Sequence, residues 1–379
     1  MQDKMKFIMI FTSWYPNDNE PNKCVFTKNI LTAQVKLKKE RFVLVVPRPY
    51  IPNFKFIPQK IRRYSNLKSY EHLDGIDIYR PTYLRLPFFK KLNHILLSFA
   101  MIRFVRNVFK NEVDIIHSHG MYPDAFISMK LSKRLNIPLV CHVHDSYLNK
   151  VFDENKNEMS LVLQNASSFI AVSEYQKRTL ISLGANEEKI DVIYNGVFHT
   201  DIINQCDSLN RFIFIGNLIP VKGVQILIDA VKILKDKNVI VRVDIVGDGH
   251  CRSHFINKVK ELGLENQIDF RGVVPNEDIQ KLICHYNGLI LPSLYETFGI
   301  VLIEALSVGT PVIASDTCAI PEIVKNYGLL FKPGDPIDLA EKIECFMSHK
   351  WEPNKIKSYG MNYSLWNLAE GISGVYNKI

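Results

Sequence analysis

The feature that most constrains this chain is a rhythm that runs through it twice. Short apolar runs of strand length, each closed by turn residues, alternate with stretches of helical spacing, and that alternation calls for parallel sheets with helices on their faces. In the first series the expected strands are 6–11, 42–46, 76–79, 114–117, 139–144, 169–173 and 191–194, with helices at 26–37, 92–109, 125–135 and 174–183. A polar segment at 197–211 breaks the rhythm, and a new series follows: strands 212–215, 241–246, 268–272, 288–291, 312–314 and 328–331, separated by helical patterns. With 379 residues, two domains are expected. We place them at 1–198 and 199–358, with 359–379 as a closing helix packed back on the first domain. Loops at the carboxyl ends of the strands are expected to face a cleft.

Composition excludes several classes. With 47% hydrophobic and 23% charged residues, disorder and fibrous structure are ruled out. The net charge of +8 is uneven: residues 1–110 hold 21 basic against 7 acidic residues, and the remainder 26 against 32. A basic first domain implies an anionic surface or ligand. No run approaches the ~20 apolar residues of a membrane span, and the amino terminus has no signal-peptide pattern. Seven scattered cysteines without a C-x-x-C fit reduced thiols. The expected location is the cytoplasm.

The stretch 291–314 carries the most chemistry. A strand ends in a polar loop and a helix starts near Gly299, where exposed N–H groups and the dipole favour phosphate. Glu296 lies before that start and Glu304 about 7.5 Å further along the axis. Carboxylates repel phosphate but accept hydrogen bonds from hydroxyls. An anion with polyols at both ends, a nucleotide-sugar, suits this spacing. Alone, such a pair reads as a loop acid and a surface charge, but Glu304 sits among Leu302, Ile303, Ala305 and Leu306.

The E-x7-E spacing, with Gly309-Thr-Pro-Val-Ile-Ala after it, resembles the retaining GT-B glycosyltransferases of family 4 type. Ala171-Val-Ser-Glu, Ile193-Tyr-Asn-Gly-Val, Gly216-Asn-Leu-Ile-Pro-Val-Lys-Gly, Val246-Gly-Asp-Gly and Pro321-Glu-Ile-Val occur in the order found in that family. The opening Ser13-Trp-Tyr-Pro is similar to the branch that builds bacterial surface polysaccharides. The resemblance implies an α/β, GT-B fold of two Rossmann-like doubly wound domains and a metal-independent hexose transfer from a UDP- or GDP-sugar. Glu296 would hold donor-sugar hydroxyls, the backbone of Phe298, Gly299 and Ile300 would meet phosphate or sugar oxygens, and Glu304 would hold the ribose. Lys222 would neutralise the diphosphate leaving group. Arg271 is either a nucleobase contact or a surface charge. His144 matches the histidine near the reacting carbon, with His119 and Asp145 on the acceptor side. Asn217 stands where the family commonly has Arg. Retention would proceed by front-face attack, with no enzymic nucleophile.

The two H-x-H pairs, His117/His119 and His142/His144, could in principle ligate a metal, since residues i and i+2 share a strand face. Nothing else completes a ligand set, so no metal and no other cofactor is expected. Between residues 48 and 110 lie 13 basic and 3 acidic residues interleaved with aromatics. No nucleic-acid motif accompanies them. The reading is an anionic membrane face serving a glycan or lipid-linked acceptor, placing the protein peripherally on the inner face of the membrane. Rival readings are a nucleotide-sugar 2-epimerase of the same fold and a non-catalytic nucleotide-sugar-binding subunit, which Asn217 favours. A dinucleotide dehydrogenase is excluded because no G-x-G-x-x-G follows the first strand.

Overall fold

The computed structural model describes residues 5–20, 24–51, 63–86, 89–110, 112–145, 147–206 and 210–379. The chain divides into two units: Met1–Tyr194 together with Leu365–Ile379, and Asn195–Ser364. The carboxyl-terminal region is therefore not one closing helix from 359. Helix Pro353–Gly360 belongs to the second unit, and helix Leu365–Asn377 belongs to the first.

The strands of the first unit are β1 (Phe7–Phe11), β2 (Arg41–Val45), β3 (Arg48–Pro49), β4 (Tyr70–Leu73), β5 (Ile76–Tyr79), β6 (Thr82–Tyr83), β7 (Ile115–His119), β8 (Leu139–Val143), β9 (Ser168–Ala171) and β10 (Ile190–Val192). Eight of them form one sheet in the order β10-β9-β8-β7-β1-β2-β5-β4. Its central strand β1 is continuously apolar because both faces of the sheet are covered there. Phe7, Met9 and Phe11 pack into the core layer on one face, and Ile8 and Ile10 into the layer on the other. The second layer is built by helix Val25–Leu37 and the carboxyl-terminal helix, whose Leu368, Ile372 and Tyr376 meet Ile30, Leu31 and Ala33.

An edge hairpin departs from the expected elements. The strand β4 is an antiparallel edge strand paired with β5 through Asp74-Gly75, both at positive φ (52° and 79°). An Asp-Gly pair is a strong hairpin signal, but three of the four β4 residues are exposed, so the strand has no apolar pattern. Helices Leu148–Glu154 and Lys156–Asn165 fill the connection between β8 and β9.

The second unit holds β11 (Arg211–Ile215), β12 (Arg242–Val246), β13 (Ile268–Gly272), β14 (Gly288–Leu291), β15 (Val312–Ser315) and β16 (Gly328–Phe331). Their order is β13-β12-β11-β14-β15-β16, all parallel. This is the doubly wound order in which the direction of winding reverses between β11 and β14. Ligands of such sheets sit outside the carboxyl ends of the strands at that switch point. In the first unit the corresponding point lies between β1 and β7. Among the described residues, no helix is long and apolar enough to cross a membrane.

Candidate functional site

The switch point of the second unit is where its chemistry gathers. After β11 the chain makes a tight turn over Pro220–Lys222 and enters helix Val224–Asp236 through Gly223 at φ 70°. A Cβ on Gly223 would fall 1.9 Å from the carbonyl oxygen of Pro292, just after β14. Only glycine lets the two loops approach this closely. A backbone hydrogen bond from Leu294 N–H to Val221 O (2.8 Å) fastens them. The result is an ion pair between Lys222 Nζ and Glu296 Oε2 at 2.5 Å, between groups 74 residues apart in sequence. Their side chains are only 23% and 12% exposed, so the pair is largely shielded from solvent.

Helix Ile300–Ser307 starts immediately beyond, with Gly299 at φ 83° as its cap residue and no side chain capping the first turn. Its leading N–H groups are therefore placed to bind an anion. The Phe298 side chain is buried (2% exposed) and lies edge-on to Tyr363, so its backbone is what it can offer a ligand. Glu304, the fifth helical residue, is 8% exposed, and burial pushes its carboxyl up to about 8. Asn217 is exposed and brings no charge to the loop after β11.

Arg271 is not drawn into this arrangement. Its guanidinium is held by Asp244 (3.3 Å) and Asp269 (3.1 Å) on the flank of the sheet. Asp244 is buried and also takes Arg211 (3.0 Å) and the Tyr286 hydroxyl. A buried carboxylate requires such compensation, and the two arginines supply it. Arg271 is thus part of an ion-pair network, with its side chain 49% exposed.

In the first unit, β7 and β8 place His119 opposite His142, and the four histidines line one face of the sheet. His119 Nδ1 and His144 Nε2 are 3.2 Å apart, and the Met121 N–H donates to Asp145 Oδ2 at 2.8 Å. His119, His144 and Asp145 are therefore brought together. Burial lowers His119 to about 3 and raises Asp145 to about 6. His117 is fully buried beside the Tyr376 hydroxyl of the carboxyl-terminal helix. Ligand nitrogens of His117, His119 and His142 lie within 4.8 Å of one another. The His117 ring stacks on those of His119 (25° between planes) and His142 (18°). The His119 and His142 rings are tilted to each other by 43°.

One residue the sequence did not single out is Asp124. Its buried carboxylate accepts from the Ser13 N–H (2.8 Å) and hydroxyl (2.5 Å), holding the loop after β1 against the loop after β7. Burial raises its pKa to about 7. No local pattern around Asp124 announces a partner 111 residues away.

Comparison with known proteins follows this division. Residues 61–200 match the model described as Glycosyltransferase Family 4, and residues 202–363 match Glycosyl transferases group 1. TuaC of Bacillus subtilis, named for teichuronic acid biosynthesis, is 26% identical over 92% of this chain and 91% of its own length. The O-antigen chain mannosyltransferase RfbU of Salmonella typhimurium is 30% identical over 60% of this chain and 63% of its own. Among solved structures, Anabaena Alr3699/HepE in complex with UDP-glucose aligns with a TM-score of 0.74 over 99% of this chain and all of its own, at 20% identity.

Proposed function

Because the chain belongs to the group 1 and family 4 glycosyltransferases, we propose that it transfers a hexose from a UDP- or GDP-sugar to a glycan acceptor in cell-surface polysaccharide synthesis. The observation that carries this is the Lys222–Glu296 pair at the switch point, flanked by an open helix start and the buried Glu304. A cation beside a helix amino terminus stabilises the charge that builds on a departing nucleoside diphosphate. Glu296 accepts from hydroxyls of the donor sugar, and Glu304 from the ribose. His144 lies at the donor sugar near the reacting carbon, and His119 and Asp145 bound the acceptor side. Transfer proceeds with retention, the leaving phosphate serving as base. The relative solved with UDP-glucose supports a UDP-sugar, and the relatives named for surface polysaccharides support the acceptor class. Incubation with a panel of UDP- and GDP-sugars tests the reading: one donor should be hydrolysed slowly without acceptor. Binding without hydrolysis or transfer would favour a non-catalytic subunit, the reading to which the uncharged Asn217 lends support.

Lys222 and the helix start leave no task for a divalent ion at the leaving group. Activity should therefore survive EDTA. Complete loss on chelation, restored by Mn²⁺, would sink the metal-free mechanism.

The acceptor is proposed to be presented at an anionic membrane. Helix Lys90–Phe109 buries Leu97, Met101, Val105 and Phe109, and exposes Leu92, Ile95 and Phe99 at helical spacing. Lys91, Arg103 and Arg106 are exposed on the same helix, and Arg85 lies shortly before it. Of the other basic residues read from sequence, Arg62 lies outside the described residues, as do the side chains of Arg63 and Lys90. Each basic group near an anionic bilayer contributes about 1 kcal/mol, screened over about 10 Å at 0.1 M salt. The protein should sediment with anionic liposomes at low salt and be released at high salt. Lys91→Glu with Arg103→Glu should abolish this. Equal binding to neutral vesicles would rule the electrostatic face out.

A further inference from the structure

A cavity in the first unit has no part in the chemistry above. It encloses about 1040 Å³ at the carboxyl ends of β1, β2 and β5, with the start of helix Lys90–Phe109 forming one wall. That volume is ample for a ligand of several tens of heavy atoms.

Its charge is one-sided. Arg48, Arg80 and Arg85 line it, and among the described lining residues there is no acid. The sequence itself holds no Asp or Glu between residues 41 and 70, nor between 78 and 111. Two of the arginines are held in place by their neighbours. Arg80, 4% exposed, pairs with Glu71 at 2.6 Å, and Arg48 donates to the backbone oxygens of Tyr64 (3.2 Å) and Leu67. Burial, with the Arg80 charge beside it, lowers the pKa of Arg48. The two cations thus feel one another, and a bound anion would relieve that repulsion. Arg85 is exposed at the margin.

Most of the rest of the wall is apolar or aromatic, with Ser13, Asn17, Asn93 and His94 as its other polar side chains. Trp14, Tyr50 and Phe89 line the cavity while 53%, 58% and 60% exposed. Exposed aromatics grouped in this way mark binding surfaces. Glu296 and Glu304 give the second unit carboxylate acceptors for polyol hydroxyls, whereas the described wall here holds no carboxylate. A guanidinium cluster beside an aromatic wall suits a phosphate joined to an apolar chain. Phe89 also precedes the helix whose exposed Leu92, Ile95 and Phe99 would meet the lipid surface.

We propose that this cavity seats the lipid end of the acceptor: a phosphate or diphosphate ester on Arg48, Arg80 and Arg85, with the proximal part of its hydrocarbon chain against Trp14, Tyr50 and Phe89. The proposal rests on the transferase reading for its biological sense, but it is tested by binding alone. Farnesyl diphosphate, inorganic pyrophosphate, farnesol and glucuronate are titrated calorimetrically into the full chain, and UDP is titrated in parallel to report on the second unit. Farnesyl diphosphate should bind, and the three partial probes much more weakly. Arg85→Gln and Phe89→Ser, both at exposed positions, should each weaken it, the former roughly tenfold or more as a charge-assisted contact is lost. Lys222→Ala should leave it unchanged. Binding sensitive to Arg85→Gln in a protein that fails to bind UDP would support the cavity and sink the donor reading. The proposal is overturned if pyrophosphate or glucuronate binds as tightly as farnesyl diphosphate. It is equally overturned if UDP binds and farnesyl diphosphate does not, or if Lys222→Ala abolishes binding that Arg85→Gln leaves intact.

Discussion

Glu296→Gln and Lys222→Ala should each reduce turnover about 100- to 1,000-fold, equivalent to about 2.7–4 kcal/mol of lost transition-state stabilisation. Each variant should stay folded. Neither side chain builds the core, and both loops are fastened through their backbones, by the Leu294–Val221 hydrogen bond and by the packing of Gly223 on Pro292. The two losses should not add. Lys222 and Glu296 contact each other, so removing one already disorganises the other, and contacting residues couple in double-mutant cycles. Steady-state transfer with saturating donor, alongside circular dichroism of each variant, measures both claims. Near-wild-type turnover in either variant would remove the switch-point pair from the reaction.

The second large effect is one of stability. Burial alone raises Glu304 from 4.5 to about 8. Below about pH 4.5 the folded and unfolded chains both hold this proton, and the group costs nothing. Between pH 4.5 and 8 the unfolded chain releases it while the folded chain keeps it, so stability falls by up to about 1.4 kcal/mol per pH unit. Above about pH 8 both forms are ionised and the penalty, on the order of several kcal/mol, is complete. Glu304→Gln should remove that slope. In the absence of nucleotide its melting temperature should exceed that of the parent by roughly 10 °C at pH 8, at about 2–4 °C per kcal/mol for a domain of this size, and by little at pH 4.5. The same substitution should weaken UDP binding, because the ribose loses its carboxylate acceptor. Identical pH slopes in variant and parent would show that this carboxyl is not protonated in the folded protein. Such a balance, stability held below its optimum at a ligand site, is a common cost of function.

Much of this was legible before any coordinates. The doubly wound fold followed from continuous apolar runs such as Phe7–Phe11, because a strand covered on both faces needs no polar alternation. The E-x7-E pair was legible because seven intervening residues span one loop and barely more than one helical turn. The strand Tyr70–Leu73 escaped because an edge strand facing solvent carries no apolar signature. The role of Arg271 stayed open because a strand arginine near a carboxyl end looks the same whether it reaches forward to a ligand or back to Asp244. The cavity of the first unit was invisible as a site. Its arginines were counted, but only as surface charge.

What the sequence determined by itself is whatever short-range periodicity encodes: the alternation of strand and helix, the break near residue 200, and the helix start at Gly299. What only the tertiary structure decided are pairings between segments remote along the chain. Lys222 meets Glu296 because β11 and β14 are neighbours across the switch point and Gly223 has no side chain to hold their loops apart. His117 meets Tyr376 because the chain returns to the first unit for its last helix, and Ser13 meets Asp124 because β1 lies beside β7. Local spacing fixes which face of an element a residue occupies. Strand order and register fix which other residue faces it, and those depend on burying the whole apolar surface at once.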